Sequence, residues 1–328
     1  MDRWSSPSDV PTGYGPSVVA IGNFDGVHRG HRSVLTRLVA EGRARAAKVV
    51  AITFDPHPLQ MLYPDRAPAL ITGLATKLDL MAGTGIDATL VMTFSRELAA
   101  MTPREFVQQI LVDTLGLGAA VVGHDIRFGV RNSGDLSTLQ DLGEELGFEV
   151  VVLDDITGPV HGESSAGRRW SSSWVRELLD AGDVASAADV LGRPHRVVGE
   201  VVHGDHRGRA LGFPTANLAS GSTGMVPADG VYAGWMVRLD LAVEALDRVL
   251  PCAVSIGTNP TFEGARERRL EAYVLGRTDL DLYGETVAVE LVERLRPTLA
   301  FDGIETLVAQ MHRDVEQCRQ VLSVVSPG

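Results

Sequence analysis

The 328-residue sequence predicts an α/β fold in two parts, a parallel-sheet domain followed by a small antiparallel barrel or sandwich that ends in a helix. Three observations carry this. Strand-like and helix-like patterns alternate through the first half, as a parallel sheet with crossover helices requires. Beyond Gly192-Arg193-Pro194 the pattern changes to short strands separated by turns. The length suits two domains, and 45% apolar with 22% charged residues supplies sizeable cores while excluding global disorder.

Composition also excludes function classes. A formal net charge of −12 argues against a nucleic-acid-binding face, which would be basic. Anionic ligands must then be held by local basic groups and backbone amides. Only Cys252 and Cys318 are present, far apart in sequence, so there is no disulfide framework and a reducing compartment is expected. No run reaches the ~18 consecutive apolar residues of a membrane span. Residues 1–16 are polar, lack the apolar core of a signal peptide and read as a loose tail. The expectation is a cytoplasmic protein with small-molecule partners, no nucleic acid and no membrane; a homo-oligomer is left open.

The first domain, residues 17–192, is organised around Val18 to His31. An apolar strand meets a Gly-containing turn, and Val34, Leu35, Leu38 and Val39 then repeat at helical spacing. A strand, a turn and a helix N-terminus in that order make an anion site, because the first-turn N–H groups lack intrahelical partners. His28 and His31 lie three apart on the opening turn, so both rings can face one bound group. Lys48 to Phe54 reads as a buried strand ending in Asp55-Pro56-His57-Pro58, where the prolines take the chain out of the sheet. His57 by itself reads as an ordinary turn residue. A helix over Thr76 to Met81 precedes a third strand over Ala88 to Phe94, and Thr102-Pro103 opens a capped helix. Ala119 to Gly123 is the fourth strand, delivering His124-Asp125-Ile126-Arg127-Phe128-Gly129; Phe148 to Leu153 is the fifth. After a hydrophilic loop, Thr157 to Arg168, the hydroxyls of Ser171, Ser172 and Ser173 read plainly as a helix N-cap. A helix over Leu178 to Leu191 closes the domain.

The second domain, residues 193–328, reads as strands over Arg196 to Val202, Gly230 to Leu239, Ala253 to Gly257, Leu270 to Leu275 and Thr286 to Arg294. Ile304, Leu307, Val308, Met311, Val315 and Cys318 are spaced to pack a final helix on them. Pro214-Thr215-Ala216-Asn217 passes as a turn leading to a strand. Glu271 alone would pass as an exposed charge.

The string Gly22-Asn23-Phe24-Asp25-Gly26-Val27-His28-Arg29-Gly30-His31 resembles the His-x-Gly-His signature of nucleotidyltransferases, in the form found in bacterial bifunctional riboflavin kinase/FAD synthetases. Gly208 to Asn217 resembles the riboflavin kinase signature Gly-x-Pro-Thr-Ala-Asn, and Pro227 to Ala233, Ser255 to Phe262 and Asp281 to Gly284 match further strings of that family. The likeness runs from about Ser17 to Leu322. It implies a nucleotidyltransferase-type, Rossmann-like sheet domain followed by an antiparallel β-barrel riboflavin kinase domain with a C-terminal helix.

Function follows from the same resemblance. The barrel domain would phosphorylate riboflavin with ATP to FMN, and the sheet domain would adenylylate FMN with a second ATP to give FAD and pyrophosphate, both with Mg²⁺. His28 and His31 would stabilise charge on the α-phosphate. Gly22, Phe24, Asp25, Gly30, His57, Asp125 and Arg169 would line that ATP site; Ser172, Ser173 and Arg176 would hold its polyphosphate tail. Gly212 and Pro214 would admit the second nucleotide, with Thr215 and Asn217 as hard oxygen ligands for Mg²⁺. Glu271 would accept the proton of the attacking ribityl hydroxyl. The family pattern carries Asn where this chain has Asp125, and Ser173 stands where Thr is commoner. A carboxylate accepts hydrogen bonds but cannot donate them, so one alternative is an active kinase with a weakened transferase half. Others are a non-catalytic flavin-binding regulator and an adenylyltransferase with a different acceptor.

Overall fold

The computed structural model describes residues 1–154, 157–158, 168–204, 211–258, 268–325 and 327. Two compact units emerge. The first comprises Met1–Pro68, Leu74–Gly158 and Ala166–Trp170; the second includes Ala69–Gly73 and Ser171–Gly328.

The first unit is built on a six-stranded sheet of β1 (Asp2–Trp4), β2 (Ser17–Ile21), β3 (Lys48–Phe54), β4 (Ala88–Met92), β5 (Leu117–Gly123) and β6 (Glu149–Leu153). The order is β1-β4-β3-β2-β5-β6, and every pairing is parallel. Parallel strands buried on both faces read as continuous apolar runs, and Val18, Val19 and Ala20 are all buried. Val19 joins a cluster with Ile52, Leu90 and Leu111, while Val18 and Ala20 join one on the other face with Leu35 and Leu38. The chain runs β2→β3→β4 to one side and then crosses to β5 on the other. The switch point is therefore between β2 and β5, where open α/β sheets bind ligands at the carboxyl ends of the strands. Helices α1 (Arg29–Ala44), α2 (Pro58–Leu62), α3 (Leu74–Ala82), α4 (Arg96–Ala100), α5 (Pro103–Phe106) and α6 (Leu136–Leu146) connect them.

Residues 1–16 are not a loose tail. Asp2–Trp4 adds a sixth strand by pairing with β4, and the Trp4 ring, 8% exposed, meets Tyr14 edge-on at 4.9 Å. One large aromatic with a ring partner anchors a segment whose neighbours are polar. A second correction concerns the helix expected over Leu178 to Leu191. It is two helices, α7 (Ser172–Ala181) and α8 (Val184–Leu191). Gly182 turns left-handed at φ +78°, and the Asp183 carboxylate accepts from the Ser186 N–H, ending one helix and starting the next. Both helices group with the barrel unit.

The second unit is a closed antiparallel barrel, order β10-β11-β8-β7-β12-β9. Its strands are β7 (His195–Val202), β8 (Ala216–Leu218), β9 (Gly230–Arg238), β10 (Val249–Thr258), β11 (Arg268–Val274) and β12 (Thr286–Arg296). Closure decides between the barrel and the sandwich. Helix α9 (Ile304–Ser323) seats Cys318 and Leu322 against Ala233 and Trp235. Its Asp314, 4% exposed, takes a bidentate pair from Arg296 at 2.9 and 2.6 Å. The expected stretches Gly208-Arg209-Ala210, Asn259 to Phe262 and most of the Thr157 to Arg168 loop lie outside the described residues.

Candidate active sites

At the carboxyl end of β2 the chain makes a cramped turn. Gly22 lies against the Phe24 ring, 3.1 Å from where a Cβ would stand, and Phe24 and Val27 take left-handed φ values of +49° and +39°. A buried β-branched residue with positive φ is held there only by its surroundings. Asp25, 3% exposed, sits within this turn. His28 then caps α1: its Nδ1 accepts from the His31 N–H at 3.3 Å. That bond places the proton of a neutral His28 on Nε2, leaving an N–H donor. The two imidazoles stack at 3.7 Å and 24°, and the Phe24 ring meets His31 edge-on at 5.3 Å. Gly30 lets the His28 ring and the Trp170 carbonyl close in, since a Cβ would stand 3.0 and 3.2 Å from them. Burial, with positive charge from His28, Arg169 and Lys77, holds His31 well below the ordinary imidazole range. Its Nδ1 is buried without a hydrogen-bond partner among the described residues. An orphaned polar atom costs about 1–3 kcal/mol, which a bound polar group would recover.

Two other loops of this unit bear on the site. His57 caps α2, its Nδ1 accepting from the Leu59 N–H at 3.2 Å, so the local turn role expected of it is present. After β5, the Asp125 carboxylate takes a hydrogen bond from Arg169 Nη1 at 2.7 Å, and the guanidinium holds that carboxyl below its usual range. The carboxylate that stands in place of the family's Asn is therefore paired with a cation. Sequence reasoning missed Lys77 of α3, which is 7% exposed. A lysine in an amphipathic segment ordinarily reads as solvent-facing.

In the second unit, Ser171 caps α7 by accepting from the Trp174 N–H at 3.2 Å; Ser172 and Ser173 stand on its first turn, and Arg176 Nε donates to the Ala69 carbonyl at 2.8 Å. The barrel holds its own cluster. Register puts Glu271 of β11 directly opposite Asn217 of β8, so their side chains share a face. Thr215 Oγ1 lies 3.4 Å from Glu271 Oε2, and Asn217 Nδ2 donates to the Thr215 carbonyl at 3.3 Å. Thr215 and Asn217 line a cavity of about 60 Å³ with Pro214, Arg277 and Tyr283; Glu271 is not part of that lining. Gly212 supplies the left-handed turn (φ +86°) before Phe213, which is buried against Tyr273 and His312. Gly204, unremarked in the sequence, presses on the Asn217 amide so closely that a Cβ would stand 2.5 Å from its Cγ. The strand pattern also missed β8 itself, three residues long.

Comparison with known proteins bears on both sites. An FAD synthetase family model matches residues 12–165 and a riboflavin kinase model matches residues 191–322. The bifunctional riboflavin kinase/FMN adenylyltransferase of Escherichia coli K12 is 38% identical over 311 residues, 95% of this chain and 94% of that one. The chain belongs to this family. The bifunctional enzyme of Bacillus subtilis is 32% identical over 310 residues, covering 94% of this chain and 93% of its own. A solved Streptococcus pneumoniae chain, described as a macrolide-efflux protein, superposes with a TM-score of 0.82 at 28% identity, covering 97% of this chain and 98% of that one. Among the described residues no helix is long and apolar enough to cross a membrane. The family's two matched models fall on the two motif sets in order, the His28–His31 turn within the first and the Thr215–Glu271 cluster within the second.

Proposed function

We propose that this chain converts riboflavin to FAD in two steps, residues 193–328 transferring the γ-phosphoryl group of ATP to riboflavin and residues 17–192 joining FMN to AMP. The observation that carries the reading is the presence, in one chain, of a stacked histidine pair on a helix N-terminus and a separate Thr215–Asn217–Glu271 cluster on a barrel. The weakened transferase and the silent flavin binder are not favoured, since the relatives matched over the whole chain are named for both activities.

In the kinase half, Glu271 accepts the proton of the ribityl 5′-hydroxyl as that oxygen attacks the γ-phosphorus and ADP leaves. The 3.4 Å approach of the Thr215 hydroxyl to Glu271 Oε2 supports this role for the carboxylate. Mg²⁺ fits this donor set. The oxygens of Thr215 and Asn217 are hard ligands, and no group of three or more His, Cys, Asp and Glu that could cage a metal occurs among the described residues. A sparse protein set is what a cation carried largely by phosphate oxygens needs. The chemistry supplied by Mg²⁺ when bound is neutralisation of developing phosphate charge. In the transferase half, an FMN phosphate oxygen attacks the α-phosphorus of ATP and pyrophosphate leaves. His28 offers its Nε2–H, His31 its imidazole and α1 the positive end of its dipole to that charge, with Arg169 at the nucleotide and Ser172, Ser173 and Arg176 on the polyphosphate tail. Gly22, Phe24, Asp25, Gly30, His57 and Asp125 shape the pocket; Gly212 and Pro214 shape that of the kinase. We further propose a cytoplasmic location, where ATP is supplied. The test is chromatography of products from riboflavin and Mg-ATP. FMN followed by FAD supports the reading, and unchanged riboflavin overturns it.

A further inference from the structure

We propose that Lys77 is a positioning residue for adenylyl transfer, a buried ammonium that ties together the carboxyl ends of β2 and β3 and sets a positive charge behind the histidine turn without touching substrate. The inference rests on the transferase reading of the first unit.

Helix α3 turns Lys77 onto its buried face with Leu78 and Met81. The ammonium donates to Thr53 Oγ1 at 3.0 Å, to the Asn23 carbonyl at 3.3 Å and to the Phe54 carbonyl at 3.3 Å. An ammonium has three hydrogens, and three acceptors use them all. None is left for a phosphate oxygen, so any effect on catalysis is indirect.

The acceptors are placed to matter. Asn23 precedes the left-handed Phe24 and the turn that carries His28; Phe54 precedes the loop that carries His57. Thr53, wholly buried, also donates to the Asn23 carbonyl at 3.0 Å, closing a triangle of lysine, threonine and backbone. One side chain from outside the sheet thus fixes the departure of both loops from its two central strands.

The charge is also unusual. All three hydrogen-bonded acceptors are neutral, and Asp25 and Asp55 balance the charge through space. Burial pushes the ammonium below the ordinary lysine range, yet both carboxylates oppose that shift. A buried cation without a hydrogen-bonded counter-ion is costly. Its field reaches His31, which is also faced by His28 and Arg169, and favours the neutral imidazole. The same field favours negative charge arriving at the turn, as a polyphosphate would bring.

The test uses the full chain with both activities assayed. Lys77→Met keeps the aliphatic stem and removes charge and donors. The expected result is an order of 10- to 100-fold fall in kcat for FAD formation, with KM for ATP changed less than about 3-fold, as for loss of orientation and transition-state stabilisation. Riboflavin phosphorylation by the same sample should be unchanged. The pH–rate limb set by His31 should move upward, since a neighbouring cation is gone; a merely structural lesion would not move it. Lys77→Arg keeps the charge and should leave that limb in place. Should Lys77→Met fail to fold, Thr53→Val, which cuts the triangle and retains the charge, should still lower kcat at unchanged KM. A folded Lys77→Met variant, or Thr53→Val in its stead, that makes FAD at the wild-type rate overturns the proposal. Wild-type protein making no FAD overturns the transferase reading itself.

Discussion

Gly204→Ala isolates the kinase site by a change of one methyl group. The added Cβ would stand 2.5 Å from Asn217 Cγ and Nδ2 and 2.6 Å from Oδ1. Restoring an ordinary contact of ~3.4 Å requires a shift of about 0.9 Å at the amide, and a displacement near 1 Å in a reacting constellation costs on the order of 100-fold in rate. That corresponds to about 2.7 kcal/mol of transition-state stabilisation. The shift also breaks the Asn217 bond to the Thr215 carbonyl, so both proposed metal ligands lose their support. The assay is paired. Riboflavin with Mg-ATP reads the kinase, and FMN supplied directly reads the transferase. The expected outcome is kinase kcat down by about two orders of magnitude, with FAD formation from FMN unchanged. A kinase rate within about 3-fold of wild type would refute the reasoning, because Asn217 would then tolerate displacement.

Three further predictions follow from other residues. His28→Ala should lower FAD formation from FMN by about 10²–10³-fold, the cost of one preorganised donor, and leave FMN formation intact; loss of both activities would contradict separate sites. His31 is held below its ordinary value of 6.5, so the unfolded chain takes up its proton first as pH falls. The stability this withholds should show as a melting temperature that drops below pH 6.5, with a shallower drop in His31→Gln; parallel slopes would refute it. Arg296→Met leaves the buried Asp314 carboxylate without its bidentate partner and should destabilise the barrel by about 3–5 kcal/mol in chemical denaturation; a change under about 1 kcal/mol would show that Gln310 suffices.

The elements that could be read from the chain were those whose buried face is regular. Strands β2 to β6 and helix α9 repeat apolar residues at one spacing, and Thr102 announces its helix by a capping box with Glu105. The elements that could not be read are held by tertiary contact. Strand β1 has one buried residue, Trp4, and strand β8 is too short for a period. Gly182 and Asp183 interrupt an apolar repeat without spoiling it, so two helices read as one. In the sites, the residue types were legible and their partners were not. His28 and His31 could be paired from spacing, but the Asp125–Arg169 bond joins residues 44 apart. Lys77 and Gly204 gave no local signal, since the burial of one and the close approach of the other exist only after folding.

The most direct measurement is product chromatography from riboflavin and Mg-ATP, run on the wild-type chain beside His31→Ala and Glu271→Ala. The expected result is FAD from the wild type, FMN alone from His31→Ala, and from Glu271→Ala no FMN from riboflavin but FAD when FMN is supplied. Unaltered riboflavin with the wild type, no FMN from His31→Ala, or no FAD from Glu271→Ala supplied with FMN, would contradict two independent phosphate-transfer sites in one chain.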